Sequence, residues 1–142
     1  MRATAASPLS AASLWPRFAS GCYELLLLTA ILFVGAWIFL LFSSAFEPSS
    51  GRLLLRLYLT GLAAIYFIYC WTHGGQTLAM KTWRLRVVMK DGRPLSLRAA
   101  VYRYLGAFVS ASLGGAGFLW ALFDRDRQFL HDRFAGTRIV SE

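Results

Sequence analysis

The chain has 142 residues, enough for one compact unit, and 57% of them are hydrophobic while only 15% are charged. An ordinary soluble domain carries about a quarter charged residues, so this composition argues against a soluble enzyme. Apolar residues bunched into long runs mark membrane spans instead. The net charge of +8 would raise nucleic acid as a partner in a soluble protein. Here the Lys and Arg residues lie between and after the apolar runs, as in cytoplasmic loops, and no basic helix face with interleaved stacking aromatics accompanies them, so no nucleic-acid binding is expected.

Residues 1–17 are rich in Ala and Ser and read as a cytoplasmic tail, ended by Pro16 where a helix begins. Residues 18–42 form the first predicted span, 25 residues with Glu24 as the single charge. About 20 apolar residues cross a bilayer core, and the excess is absorbed by tilt. Ser43-Ser44-Ala45 loosely resembles a processing site. The apolar run is nevertheless longer than the roughly 7 to 15 residues of a signal-peptide core, so an uncleaved anchor is expected. A short polar turn over Ser43 to Arg52, containing Glu47, leads to the second predicted span, residues 53–71, interrupted only by Arg56. The short connection makes the two helices antiparallel neighbours, and Gly61, Ala63 and Ala64 allow close backbone approach in lipid.

Residues 72–96 are different in kind. Lys81, Arg84, Arg86, Lys90, Arg93 and the following Arg98 face only Asp91. Trp83 to Val88 alternates apolar and basic, a strand period, and Asp91-Gly92 signals a turn. This predicts a cytoplasmic loop with a short strand or hairpin. Residues 97–123 form a third apolar segment, with Gly114, Gly115 and Gly117 in its middle, followed by a charged tail over residues 124–142. The positive-inside rule puts the N-terminus, the central loop and the tail on one side, whereas a single third span would place the tail opposite. A segment that breaks at the glycines and re-enters removes the conflict, and Thr137 to Val140 could then pair with Arg84 to Val88. The expected class is an all-α membrane protein with two firm transmembrane helices. A third glycine-broken segment, re-entrant hairpin or third span, and a small cytoplasmic β cap complete it.

At this point the residues resemble a known family. Arg17 opens the first helix, an acid follows at Glu24, and the tail carries His131-Asp132-Arg133-Phe134-Ala135-Gly136-Thr137. Between them stand Gly75-Gln76-Thr77-Leu78-Ala79-Met80-Lys81 and Phe118-Leu119-Trp120-Ala121-Leu122-Phe123-Asp124. Together they are similar to the RDD family of small bacterial membrane proteins, named for one arginine and two aspartates, over residues 15 to 140. The resemblance implies Arg17 and Asp132 as two of the family's charged positions and Glu24 in place of the first aspartate. Ala79 stands where the family usually has glycine. Membership implies a multi-pass protein of the bacterial inner membrane. Some members are cation/proton antiporters.

Glu24 lies six residues past Phe18, about 9 Å along the helix at 1.5 Å per residue. A charge at such depth needs a partner or a role. Arg103 lies six residues past Leu97, at a similar depth, and a buried Glu24–Arg103 ion pair is therefore predicted. The resemblance favours a second contact, Arg17 to Asp132. Arg56 is expected to snorkel outward, and Trp15, Trp71, Trp83 and Trp120 suit aromatic belts. His131 beside Asp132 reads as a salt-bridged turn. Gly74-Gly75 reads as a turn without the lysine of a phosphate loop. Cys22 and Cys70 read as small buried thiols without metal or disulfide spacing.

No catalytic, cofactor-binding or metal-ligating set is expected. The expected partners are the lipid bilayer and either further copies of the chain or another membrane protein. A membrane scaffold or assembly partner is the leading functional expectation. The alternative is a monovalent cation/proton antiporter acting as an oligomer, exchanging cations and protons at Glu24. A membrane-bound enzyme ranks last.

Overall fold

The computed structural model describes residues 11–43, 48–126 and 128–142. Most of the expected N-terminal tail, the Glu47 turn, most of the candidate processing site and Arg127 lie outside the described residues. Helix α1 runs over Leu14–Phe42 and α2 over Pro48–Thr72, each long and apolar enough to cross a membrane. At 1.5 Å per residue they extend about 43 and 37 Å. Both start earlier than their apolar runs suggest. Pro16 sits within the first turn of α1 and Pro48 at the first position of α2. The missing N–H costs nothing there, because first-turn donors have no intrahelical acceptor.

After α2 the chain turns through Gly74 and Gly75 into a short helix α3, Leu78–Thr82, absent from the sequence expectation. Thr77 caps it, its hydroxyl accepting the Met80 N–H at 3.2 Å. Strand β1, Leu85–Met89, follows. The Asp91-Gly92 turn forms, closed by the Met89 N–H donating to Arg93 O at 2.9 Å. It does not fold β1 into a local hairpin. Instead β1 pairs antiparallel with β2, Thr137–Ser141, with Leu85 opposite Ser141 and Met89 opposite Thr137. The strand pairing between loop and tail is thus as expected. Ala11 adds an isolated bridge to Val140, so the start of α1, the central loop and the tail meet in one place.

The third segment is broken. Helix α4, Leu97–Ser112, is capped by Ser96, and α5 covers only Ala116–Leu119 before a 3-10 turn at Trp120–Leu122. The two halves are bent by 105°. Gly114 and Gly115 make the break with φ of +72° and +83°, a left-handed conformation that glycine adopts without the penalty of a Cβ. Helix α6, Leu130–Ala135, then leads into β2.

Helix α1 packs on α2 and α3, while α4 packs on α2 and α6. The core does not lie between the long helices. It gathers Ala12, Trp71, Met80, Leu85, Val87, Leu95, Ala99, Ala100 and Ile139 at the sheet end. Beyond it, α1 and α2 bury almost none of their apolar side chains fully and expose many, among them Leu26 (73%), Phe33 (72%) and Ile65 (69%). Cys22, expected to be buried, is exposed as well. Apolar area is worth about 25 cal/mol per Å² removed from water, so a surface of this kind requires an apolar surrounding.

Candidate functional site

Polar side chains collect where the sheet end meets the long helices. Arg17, Ser20, Thr77, Arg103, His131, Asp132 and Thr137 are all buried. Arg103, His131 and Thr137 gather around Asp132, and Thr77 meets Glu24 in a second group.

Asp132 sits in the first turn of α6, where the helix dipole favours an anion, and its carboxylate pairs with the Arg103 guanidinium from α4. The side chains are 5% (Arg103) and 1% (Asp132) exposed. The Arg103 Nη1 also donates to Thr137 Oγ1 at 3.2 Å, and that hydroxyl lies 3.3 Å from Asp132 Oδ1. The guanidinium carbon stands 4.8 Å from the centroid of the Trp71 ring, a cation–π distance. Trp71 is therefore an internal platform for a charge rather than a belt residue.

His131 is likewise not a surface salt bridge. Its ring stacks on Phe129 at 5.4 Å between centroids and meets Phe118 edge-on at 5.1 Å. Burial first, and the nearby Arg103 charge second, push it down to about 3, so the imidazole is neutral and its 3.9 Å approach to Asp132 is not an ion pair. The backbones come close here: a Cβ on Gly106 of α4 would lie 2.8 Å from the His131 Cβ.

The predicted Glu24–Arg103 pair is not formed. Arg103 is taken by Asp132, while Glu24 accepts hydrogen bonds from Tyr66 Oη of α2 at 2.8 Å and from the Thr77 hydroxyl. Measuring depth along separate segments overlooked α3, which packs on α1 and brings Thr77 to the carboxylate. The Thr77 hydroxyl thus donates to Glu24 while accepting from Met80. Among the described residues Glu24 has no ion-pair partner.

Arg17 reaches the tail, but at a backbone carbonyl. Its Nη2 donates to Ile139 O at 3.2 Å, and its guanidinium lies 5.9 Å from the Phe129 ring centroid. Arg56 is exposed. The residues missed in sequence are Tyr66, Thr77, Trp71 and Thr137. Only Thr77 carried a local signal, a hydroxyl residue immediately before a helical stretch.

Chemically, the first group is a closed clamp joining α4, α6 and β2 beneath an aromatic cover. The second holds a carboxylate with two neutral hydroxyls at the junction of α1, α2 and α3. No group of three or more His, Cys, Asp or Glu side chains able to hold a metal occurs among the described residues.

The family model for the RDD family matches residues 11–136. A similar protein is the uncharacterized protein RP437 of Rickettsia prowazekii (strain Madrid E), 34% identical over 77 residues, which cover 53% of this chain and 42% of that protein. The matched stretch is therefore less than half of that relative's length. No solved structure matches the chain.

Proposed function

The chain belongs to the RDD family, and from that premise we propose a multi-pass scaffold or assembly partner of the bacterial inner membrane, without catalytic activity of its own. Family and apolar helices together point to a membrane protein. In the proposed arrangement α1 and α2 cross the bilayer and the bent α4–α5 segment enters and leaves on one side. The sheet end, with the start of α1, the central loop and the tail, faces the cytoplasm. Support comes from the shared sheet and from Lys81, Arg84, Arg86, Lys90 and Arg93 in the loop that feeds it, with Arg98 just beyond, a basic cluster of the kind that stays on the cytoplasmic side.

The observation that carries the scaffold reading is the buried Arg103–Asp132 clamp. Buried pairs are better at fixing registry than at adding stability, and this one fastens the cap to α4. The long helices leave their outer faces to lipid and to further copies or another membrane protein.

A second reading rests on Glu24, a carboxylate in α1 held by hydroxyls alone among the described residues. Such a group can exchange a proton for a monovalent cation, and an oligomer would enclose the path. Cation-driven proton exchange in proteoliposomes separates the two readings. The scaffold reading predicts no exchange with Na⁺, Li⁺ or K⁺ once insertion is verified. Exchange that disappears in Glu24→Gln contradicts it and establishes transport.

A further inference from the structure

The short helix α3 meets α1 at a single level. The Thr77 hydroxyl, just before α3, donates to Glu24. Trp83, just after α3, stands edge-on to Tyr23 with ring centroids 6.2 Å apart. A helix running along α1 would separate two positions six residues apart by about 9 Å on the α1 axis. Tyr23 and Glu24 differ by only about 1.5 Å of rise, so α3 lies across α1 and parallel to the membrane plane when α1 crosses it. We propose that the outer face of α3 is a membrane-surface contact. Leu78 enters the outermost acyl region of the cytoplasmic leaflet, and Lys81 and Arg84 meet the phosphodiester groups of its phospholipids. The inference rests on the reading of α1 as a span.

The two faces of α3 differ in kind. Ala79 and Met80 are buried, while Leu78, Lys81 and Thr82, at i, i+3 and i+4, share the opposite side and are exposed. Leu78 is 58% exposed, apolar area that an acyl chain removes from water. The Thr82 hydroxyl donates to Leu78 O at 3.2 Å and so needs no water there. The apolar surface continues onto α1, where Leu25 and Leu26, directly after Glu24, are exposed as well.

Arg84 supplies a separate observation. It follows Trp83, the C-cap of α3, and holds a φ of +50°. Helix ends usually give this left-handed position to glycine, so a guanidinium is kept there against the preference of the backbone. Neither Arg84 nor Lys81 pairs with a carboxylate among the described residues. Bilayer thickness sets the direction in which they reach. Tyr66, which meets Glu24, and the exposed Arg56 are ten residues apart on α2, about 15 Å, against a hydrocarbon core of roughly 30 Å. Lys81 and Arg84 therefore extend to one surface and Arg56 to the other, each burying its aliphatic stem on the way. The anion within reach at that level is the phosphodiester, which zwitterionic and acidic phospholipids both carry.

The test uses the full chain in phosphatidylcholine nanodiscs, with single nitroxide-labelled cysteines in a background lacking Cys22 and Cys70. Collisions of the label are read with oxygen, which concentrates in lipid, and with a water-soluble nickel chelate. Leu78→Cys is expected to favour oxygen, as Leu26→Cys in α1 does, and Lys90→Cys, at an exposed position, to favour the chelate. Lys81→Glu combined with Arg84→Glu is expected to raise chelate collisions at position 78 several-fold, while Lys81→Arg with Arg84→Lys leaves them unchanged. The label at position 26 reports in each variant whether the long helices stay inserted. A label at position 78 that meets the chelate as freely as one at position 90 overturns the membrane contact. Indifference of position 78 to the charge reversal overturns the role of the two cations. Chelate access at position 26 strikes the span reading, whereas a lipid-like position 26 with a water-exposed position 78 strikes this contact alone.

Discussion

Arg103 and Asp132 have almost no access to solvent, so each charge depends on the other. Removing one leaves an uncompensated buried charge, at a cost of about 3 to 5 kcal/mol. Asp132→Leu and Arg103→Met should each lower stability by that order in chemical unfolding in micelles. The double variant should cost less than the two losses summed, because neither charge is then stranded. His131 makes a separate prediction. Its folded value of about 3 lies below the ordinary 6.5, so between these pH values the unfolded chain binds a proton that the folded chain does not. Stability attributable to this residue is full above pH 6.5 and falls by about 1.4 kcal/mol per unit as pH drops through the window. At pH 5 the loss is about 2 kcal/mol. His131→Phe, which keeps the stacking on Phe129, should flatten that part of the pH profile relative to the natural chain. An unchanged slope would contradict a buried neutral imidazole.

At the scale of elements, the contact between α4 and α6 has no room for a side chain at Gly106. Gly106→Val is expected to destabilise by about 1 to 3 kcal/mol, the usual range for overpacking, with the loss read in the same unfolding experiment. The break after α4 has a different sensitivity. Replacing Gly114 and Gly115 together by leucine places side chains at φ values of +72° and +83°. This should favour a straight helix and detach α5 from α4, exposing the tail to limited proteolysis. Much of this architecture was legible beforehand: the glycine cluster marked the break, and the alternation in Trp83 to Val88 marked a strand for which the tail offered a partner. The partners of Glu24 and the burial of His131 were not. The first depends on the central loop folding back so that Thr77 reaches the Glu24 carboxylate, the second on the tail packing against α4 and Phe118. Asp132 thereby takes the place at Arg103 that counting residues along isolated segments assigns to Glu24. Trp71 misled for the same reason. An aromatic at a span end suits a lipid belt until another segment packs over it.

For the whole molecule, the division is between a packed polar-and-apolar core at the sheet end and two long helices with little packing of their own. The extents of α1 and α2 exceed the roughly 30 Å of a bilayer's hydrocarbon core, while α5 and its 3-10 continuation, seven residues, rise only about 10 Å at 1.5 Å per residue. A bent segment of this size fits entry and return better than a crossing, and the sheet binds the tail to the central loop. One measurement tests this arrangement directly: cysteine accessibility in intact cells, with single cysteines at Ser13, Asp91 and Glu142 in a background lacking Cys22 and Cys70. The account predicts that a membrane-impermeant reagent leaves all three unlabelled until the inner membrane is permeabilised, after which all three react. Labelling of Glu142 in intact cells while Ser13 and Asp91 stay protected would put the tail on the opposite side, and the third segment would then be a span.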